Sequence, residues 1–196
     1  MTATLRAGLA AAALAAASLL ACGNPNAPQA TLATYTDTVA FYALNGSPRG
    51  APSALRLIGG IGGAPAVAPD ASFAFDVALD IDDQGRPILL PVRAVASPFS
   101  AAHSVGLQRS TRAFESVTRA PTTGYQHDTA TTVSVGETVL IEAADAAVCS
   151  TFLSTGVLYG KIVVDSVNAD TRRLYTRVTG DPNCGYRSFE PGVPKS

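Results

Sequence analysis

The chain reads as an all-β domain, an antiparallel β-sandwich of roughly nine to eleven short strands. Three observations predict this. Runs of Thr, Val, Tyr, Phe and Ile recur with two-residue alternation. Turn signals rich in Gly, Pro, Asn and Asp separate them every 8–15 residues or so. No amphipathic helical pattern follows the N-terminal segment, which leaves sheet-on-sheet packing as the way to build a core. A small closed β-barrel is the alternative topology. Hydrophobic residues make up 47% of the 196 and charged residues 15%. That suffices for a core and argues against global disorder. The formal net charge is −1 and no basic patch is present, which excludes electrostatic capture of nucleic acid.

The elements follow in chain order. Thr31 to Leu44 (TLATYTDTVAFYAL) predicts a strand, apolar on both faces late in the run and so expected to be central. Asn45-Gly46-Ser47-Pro48 is a turn. Ala54 to Ile58 is a short apolar strand. The glycine-rich stretch Gly59 to Pro65 lacks the Lys-Ser/Thr of a P-loop, and Pro65 replaces the last glycine of a dinucleotide fingerprint. It is read as a surface loop. Phe73, Phe75, Val77, Leu79 and Ile81 alternate with Ala74, Asp76, Ala78, Asp80 and Asp82, which predicts a strand with one apolar and one solvated acidic face. Asp82-Asp83-Gln84-Gly85 turns the chain. Ile88 to Val95 returns as an edge or bulged strand, since Pro87 and Pro91 cannot donate to a ladder.

Further on, Ser104 to Gln108 is a short strand, Thr111 to Thr118 a strand or short helix, and Ala120 to Thr132 a long loop. Val133 to Glu142 reads as strand, turn, strand. Ala143 to Ala147 allows one helical turn. Val157–Val167 and Arg172–Thr179 form a hairpin around Asn168-Ala169-Asp170-Thr171. In it Ile162, Val164 and Ser166 share a face with Arg173, Tyr175 and Arg177, and Asp165 is expected to pair diagonally with Arg172.

The N-terminal segment carries the clearest functional signal. Arg6 precedes an uninterrupted apolar run, Leu9 to Ala21, that ends in Leu19-Leu20-Ala21-Cys22. Thirteen helical residues rise only about 20 Å, too short for a roughly 30 Å hydrocarbon core. The segment therefore reads as a cleaved signal and not a permanent span. Leu19-Leu20-Ala21-Cys22 resembles the lipobox of bacterial lipoproteins. The resemblance implies cleavage before Cys22, lipidation of its thiol, a cell-envelope location and membrane attachment. Gly23 in place of Asp implies sorting to the outer membrane. The expected organisation is a signal peptide at 1–21, a tether at 22–30 and one β-rich domain at 31–196. Gly23 to Ala30 has two prolines and no charge, and eight such residues reach at most about 28 Å. With Cys22 assigned to lipid, Cys149 and Cys184 remain, and in an exported chain an even pair is expected to form a disulfide. Zinc is poorly supported, because only His103 and His127 could join two cysteines.

Candidate chemistry in the domain is thin. Asp80, Asp82 and Gln84 imitate the start of a calcium loop, but the position of its last ligand is Pro91. A different calcium site built from Asp76, Asp80, Asp82 and Asp83 is the weak metal candidate, set against a solvated strand face. Ala102-His103-Ser104-Val105-Gly106 resembles the nucleophile elbow of α/β-hydrolase lipases, with Ser104 as nucleophile and Glu115 and His127 as partners. The surrounding pattern contains no strand–helix units to support it. His127-Asp128 is an adjacent pair without a third partner fixed by spacing. The expectation is therefore a non-enzymatic envelope module, without cofactor, that binds a protein or glycan partner or has a structural role. The alternatives are a carrier or sensor of an apolar small molecule in a lipocalin-like barrel and, last, a hydrolase.

Overall fold

A computed structural model of the chain describes residues 29–60, 65–70, 72–96, 103–144, 149 and 156–195. The expected lipid site Cys22 lies outside them. The described residues form eleven strands in two antiparallel sheets. The strands are β1 (Tyr35–Tyr42), β2 (Ala54–Leu55), β3 (Ala66–Val67), β4 (Val77–Ile81), β5 (Pro87–Pro91), β6 (Ser104–Ser110), β7 (Gln126–His127), β8 (Thr131–Thr132), β9 (Thr138–Ala144), β10 (Val157–Asn168) and β11 (Arg173–Asp181). One sheet runs β1-β11-β10-β9-β6-β7 and the other β3-β2-β4-β5-β8. The all-β sandwich is thus the observed architecture. The two sheets remain separate, and the closed barrel considered as an alternative is not formed.

The core sits between the sheets. Phe41, Leu55, Leu57, Phe75, Leu79, Leu89, Leu107, Ile141, Leu158, Ile162 and Leu174 are fully buried there. Their burial, at about 25 cal/mol per Å² of apolar surface, is the main stabilising term. A smaller cluster lies on the outer face of the six-stranded sheet, where Val117, Ala120, Tyr125 and Phe189 cover Leu140 and Tyr159. Lys161 is 4% exposed beneath this cover. Its Nζ donates to the carbonyls of Phe114 (2.7 Å) and Val117 (2.9 Å) and lies over the Phe114 ring, so a buried ammonium pins the 3-10 turn Phe114–Ser116 to the sheet. Burial lowers its pKa, with Glu115 opposing.

Several expectations change. The first strand is not central: among the described residues β1 is an edge of its sheet and pairs only with β11. Its late residues are apolar on both sides because the chain then passes to the other sheet, where Tyr42 N–H donates to Pro52 O and Leu44 N–H to Leu79 O. The strand expected from Phe73 starts at Val77, and all five β4 residues are buried. The return strand is interior, flanked by β4 and β8, and stops at Pro91, after which Val92–Ala96 form a short helix, α1. Both prolines sit at strand ends, where a missing donor costs least. The long loop after Ala120 carries β7 and β8, which pair with different sheets, so the chain crosses between them at Asp128.

The β10–β11 hairpin forms with the expected turn but a different register. A bulge between Val164 and Ser166 shifts the pairing, and Ile162 and Val164 lie opposite Val178 and Thr176. These face the core, while Arg173, Tyr175 and Arg177 face outward. The bulge re-aims Asp165. It binds Arg177, with Nε–Oδ2 at 2.9 Å and Nη2–Oδ1 at 2.8 Å, and not Arg172 as expected.

At the N-terminal end of the sandwich, Gly160 and Gly180 lie opposite each other and leave a notch. Leu57 fills the space over Gly160, and the Tyr35 ring lies where a Gly180 Cβ would sit, 2.5 Å from the hydroxyl. Tyr35 donates to Leu57 O at 2.8 Å. The incoming chain is held at the same end. Asn183 Oδ1 accepts from the amides of Thr31 (2.9 Å) and Leu32 (3.0 Å), and its Nδ2 donates to Leu32 O at 2.8 Å. Ala30 N–H donates to the Tyr186 hydroxyl, and Thr34 N–H to Gly192 O. Next to this clamp Cys184 is bonded to Cys149, with sulfurs 2.03 Å apart, as expected from the cysteine count.

Candidate functional site

The densest polar cluster in reach of solvent gathers where β6 begins. Ser104 opens β6 and pairs with Ala144 of β9. Beside it, β7 brings His127 opposite Gly106. Only glycine fits at 106: a Cβ there would lie 2.7 Å from Tyr125 Cβ and 3.0 Å from the His127 ring. Asp128 follows, at φ 54°, a left-handed conformation that aspartate tolerates better than most residues. That turn sends the chain to the other sheet and points the carboxylate back at β6.

The Asp128 carboxylate lies 3.2 and 3.1 Å from Ser104 Oγ, which donates to it. Oδ1 also accepts from the Val105 amide at 3.0 Å. Arg93 of α1 reaches Oδ2 at 3.2 Å. His127 Nδ1 is 3.4 Å from Ser104 Oγ, and its Nε2 is 3.6 Å from Glu142 Oε1. The Tyr125 and Tyr159 rings meet at a tilt of 48° with centroids 6.4 Å apart, beside Glu142. Burial, then the Glu142 charge, pushes both phenol pKa values upward, so they remain neutral donors.

This arrangement joins three of the residues singled out from the sequence, Ser104, His127 and Asp128. It leaves out Glu115, which is at the far end of β6 with Arg177. Glu142 and Arg93 complete the cluster, and neither carried a sequence signal: each is one polar residue in an apolar run.

The cluster differs from a hydrolytic site in three ways. A hydroxyl has one proton, and here it goes to Asp128, which is nearer than the imidazole. In a nucleophile elbow the amide after the serine stabilises the oxyanion. Here that amide, Val105 N–H, is bonded to a carboxylate, whose negative charge would repel an oxyanion. Ser104 also lies in a regular ladder and not at a strand-to-helix turn.

The four aspartates proposed for calcium do not converge. Asp76 and Asp80 are 2% and 5% exposed, not on a solvated face. Asp76 Oδ1 is 2.6 Å from His103 Nε2, and Oδ2 accepts from the Leu57 amide at 2.5 Å. Asp80 accepts from Asn45 Nδ2 (2.5 Å), Ile81 N (2.8 Å) and Arg172 Nη2 (3.1 Å). Asp82 binds its own turn through the Gln84 and Arg86 amides and Arg86 Nε, which hold its carboxyl below the usual range. Period-two alternation shows which residues share a face; it does not show whether water or a polar partner meets them. Asp80, Asp82 and Asp83 do line one shallow groove of about 460 Å³ with Asn45, Ile88 and Arg172, at the end of the sandwich opposite the clamp. Arg172, at φ 50°, crosses its mouth and joins the sheets by donating to Asn45 O and Ile81 O as well.

Compared with protein families, curated proteins and solved structures, the chain matches none. Its functional reading therefore rests on its own residues.

Proposed function

We propose that this chain is a lipid-anchored module of the bacterial cell envelope, sorted to the outer membrane, that binds a partner non-covalently. The carrying observation is Leu19-Leu20-Ala21-Cys22 at the end of a short apolar run. The fold supports it at the point of entry. Residues 30–34 are clamped by Asn183, Tyr186 and Gly192, so a tether of at most about 28 Å would hold this end of the sandwich toward the membrane. The other end, with the Arg172 groove, would then face away. The Val105–Asp128 bond favours a binding role over a hydrolytic one. Metabolic labelling with palmitate tests the anchor: label is expected on the wild type and absent from Cys22→Ser, and label retained in the variant would refute it.

The residual reading, a hydrolase, draws on the 3.4 Å approach of Ser104 to His127. A fluorophosphonate probe separates the two. The binding reading expects no covalent adduct, and an adduct abolished by Ser104→Ala would overturn it.

A further inference from the structure

The open edge of the six-stranded sheet carries the strongest unassigned feature. In the β1–β11 ladder Ala43 N–H donates to Arg172 O, so the odd-numbered residues of β1 point their backbone groups at β11. The even-numbered residues point theirs outward. At one end Thr34 N–H is taken by Gly192 O, and at the other Tyr42 N–H is taken by Pro52 O. Between these two stops, Thr36, Thr38 and Ala40 are exposed, and their outward N–H and C=O groups have no backbone partner among the described residues. The stops define a slot three outward residues long. No proline or lysine blocks it, although such residues are the usual guards of an edge.

Two charges flank the slot, on opposite faces. On the outer face Arg173 lies over the Tyr42 ring at 4.5 Å and hydrogen-bonds its hydroxyl, leaning from β11 across β1 toward the edge. Tyr175, 39% exposed, stands beside it opposite Ala40. Arg173 pairs with no carboxylate among the described residues, whereas its neighbour Arg177 pairs with Asp165 and Glu115. On the core-side face, half-buried Asp37 has no cationic partner among the described residues. A half-buried arginine framed by tyrosines is the composition of interface hot spots.

We infer that β1 docks an extended segment of a partner protein by strand addition. That segment carries an acidic side chain facing Arg173 and, an odd number of residues away, a basic side chain facing Asp37. Odd spacing follows because successive residues of a strand face opposite sides. Backbone bonds to Thr36, Thr38 and Ala40 supply affinity, and the two charges supply register. A second copy of this chain fits less well. Two β1 strands paired antiparallel about Thr38 would set Thr36 against Ala40 and Asp37 against Val39, leaving both charges unmatched. The inference deepens the binding-module reading and rests on it.

The test uses the full-length chain in mild detergent and a phage library of random peptides long enough to span β1. Enriched peptides are expected to combine β-branched alternation with one acid and one base at odd spacing. Thr38→Pro removes an outward N–H without touching the β11 ladder, and should weaken such peptides at least about tenfold, or about 1.4 kcal/mol. Arg173→Glu should weaken them similarly and be rescued by a lysine replacing the peptide's acid. If Thr38→Pro does not fold, N-methylating alternate residues of the peptide replaces it. One methylation frame should abolish binding and the other should not. Absence of enrichment, equal binding to Thr38→Pro, or equal effects of the two frames would overturn the inference. So would a dimer in sedimentation that Thr38→Pro dissolves, since it would make the second copy the occupant. Palmitate labelling is independent of all these outcomes, so the edge and the anchor fail separately.

Discussion

Two buried aspartates bracket strand β4, Asp76 just before it and Asp80 near its end, and their counter-ions differ. Asp80, toward the β10–β11 turn, meets a guanidinium that is charged at every pH at which the protein folds. Asp76, toward the tether clamp, meets an imidazole, charged only when protonated. The arginine reaches across from the other sheet and bonds three acceptors on the Asn45 and β4 segments. The histidine comes from the start of β6, and Asp76 retains the Leu57 amide without it. The lesson is that one end is fastened around a single fixed charge, which the Asn45 and Ile81 donors assist. The other is fastened by several devices together: His103, the glycine notch, the Asn183 clamp and the Cys149–Cys184 bridge.

Breaking these fastenings one at a time ranks them. The largest expected effect is loss of the disulfide at the clamp end. Cys149→Ser with Cys184→Ser opens a loop with a sequence separation of 35. On a chain-entropy basis it should cost about 4 kcal/mol, read as a fall in the urea midpoint. Next is the other end. Arg172→Ala removes the only charged partner of Asp80 among the described residues together with the bonds to Asn45 O and Ile81 O, and should cost about 3 kcal/mol, the low end for breaking a buried pair, because the guanidinium is partly exposed and Asp80 keeps Asn45 Nδ2 and the Ile81 amide. His103→Ala should cost less, about 2 kcal/mol, since it removes one bond to Asp76 Oδ1 whereas Arg172 joins three acceptors. Equal costs for these two substitutions would remove the contrast between the ends.

The smallest effect is one of pH, and it too belongs to the clamp end. Asp181 is buried beside Asn183, and burial raises its carboxyl pKa, with the Asn183 and Ser188 donors pulling the other way. The folded state then holds this proton more tightly than the unfolded chain does. Its stabilising contribution is complete below the ordinary aspartate value and is lost as pH rises through the raised one. Asp181→Asn is neutral throughout. Its urea midpoint relative to the wild type should therefore climb over that window and level off above it. A difference that stays constant from the ordinary aspartate range up to neutral pH would show that Asp181 does not titrate abnormally.

Much of the fold was legible because its strands are long or strongly alternating. Ser104–Ser110, Thr138–Ala144 and the β10–β11 hairpin all stand close to their expected positions. The cysteine pairing was legible from counting. What escaped was decided by contacts distant in sequence. Alternation at Asp76 and Asp80 was real, but His103 and Arg172 stand where water was expected. Ser166 stands opposite Tyr175 as expected, but the bulge at Asp165 turns Ile162 and Val164 to the other face, and one residue of slippage has no compositional signature. The Ser104 cluster was half legible. Ser104, His127 and Asp128 carry recognisable chemistry, whereas Glu142 and Arg93 join them only because β9 and α1 pack alongside.

The clamp at residues 30–34 also has a mechanical meaning. A pull on the N-terminal segment arrives at the start of β1 and is directed along the strand, against the whole β1–β11 ladder at once, instead of peeling it one bond at a time. Asn183 takes the first share of that load and stands beside the cross-linked Cys184. Under the proposed N-terminal anchor, the sandwich would thus be loaded in shear at its cross-linked end.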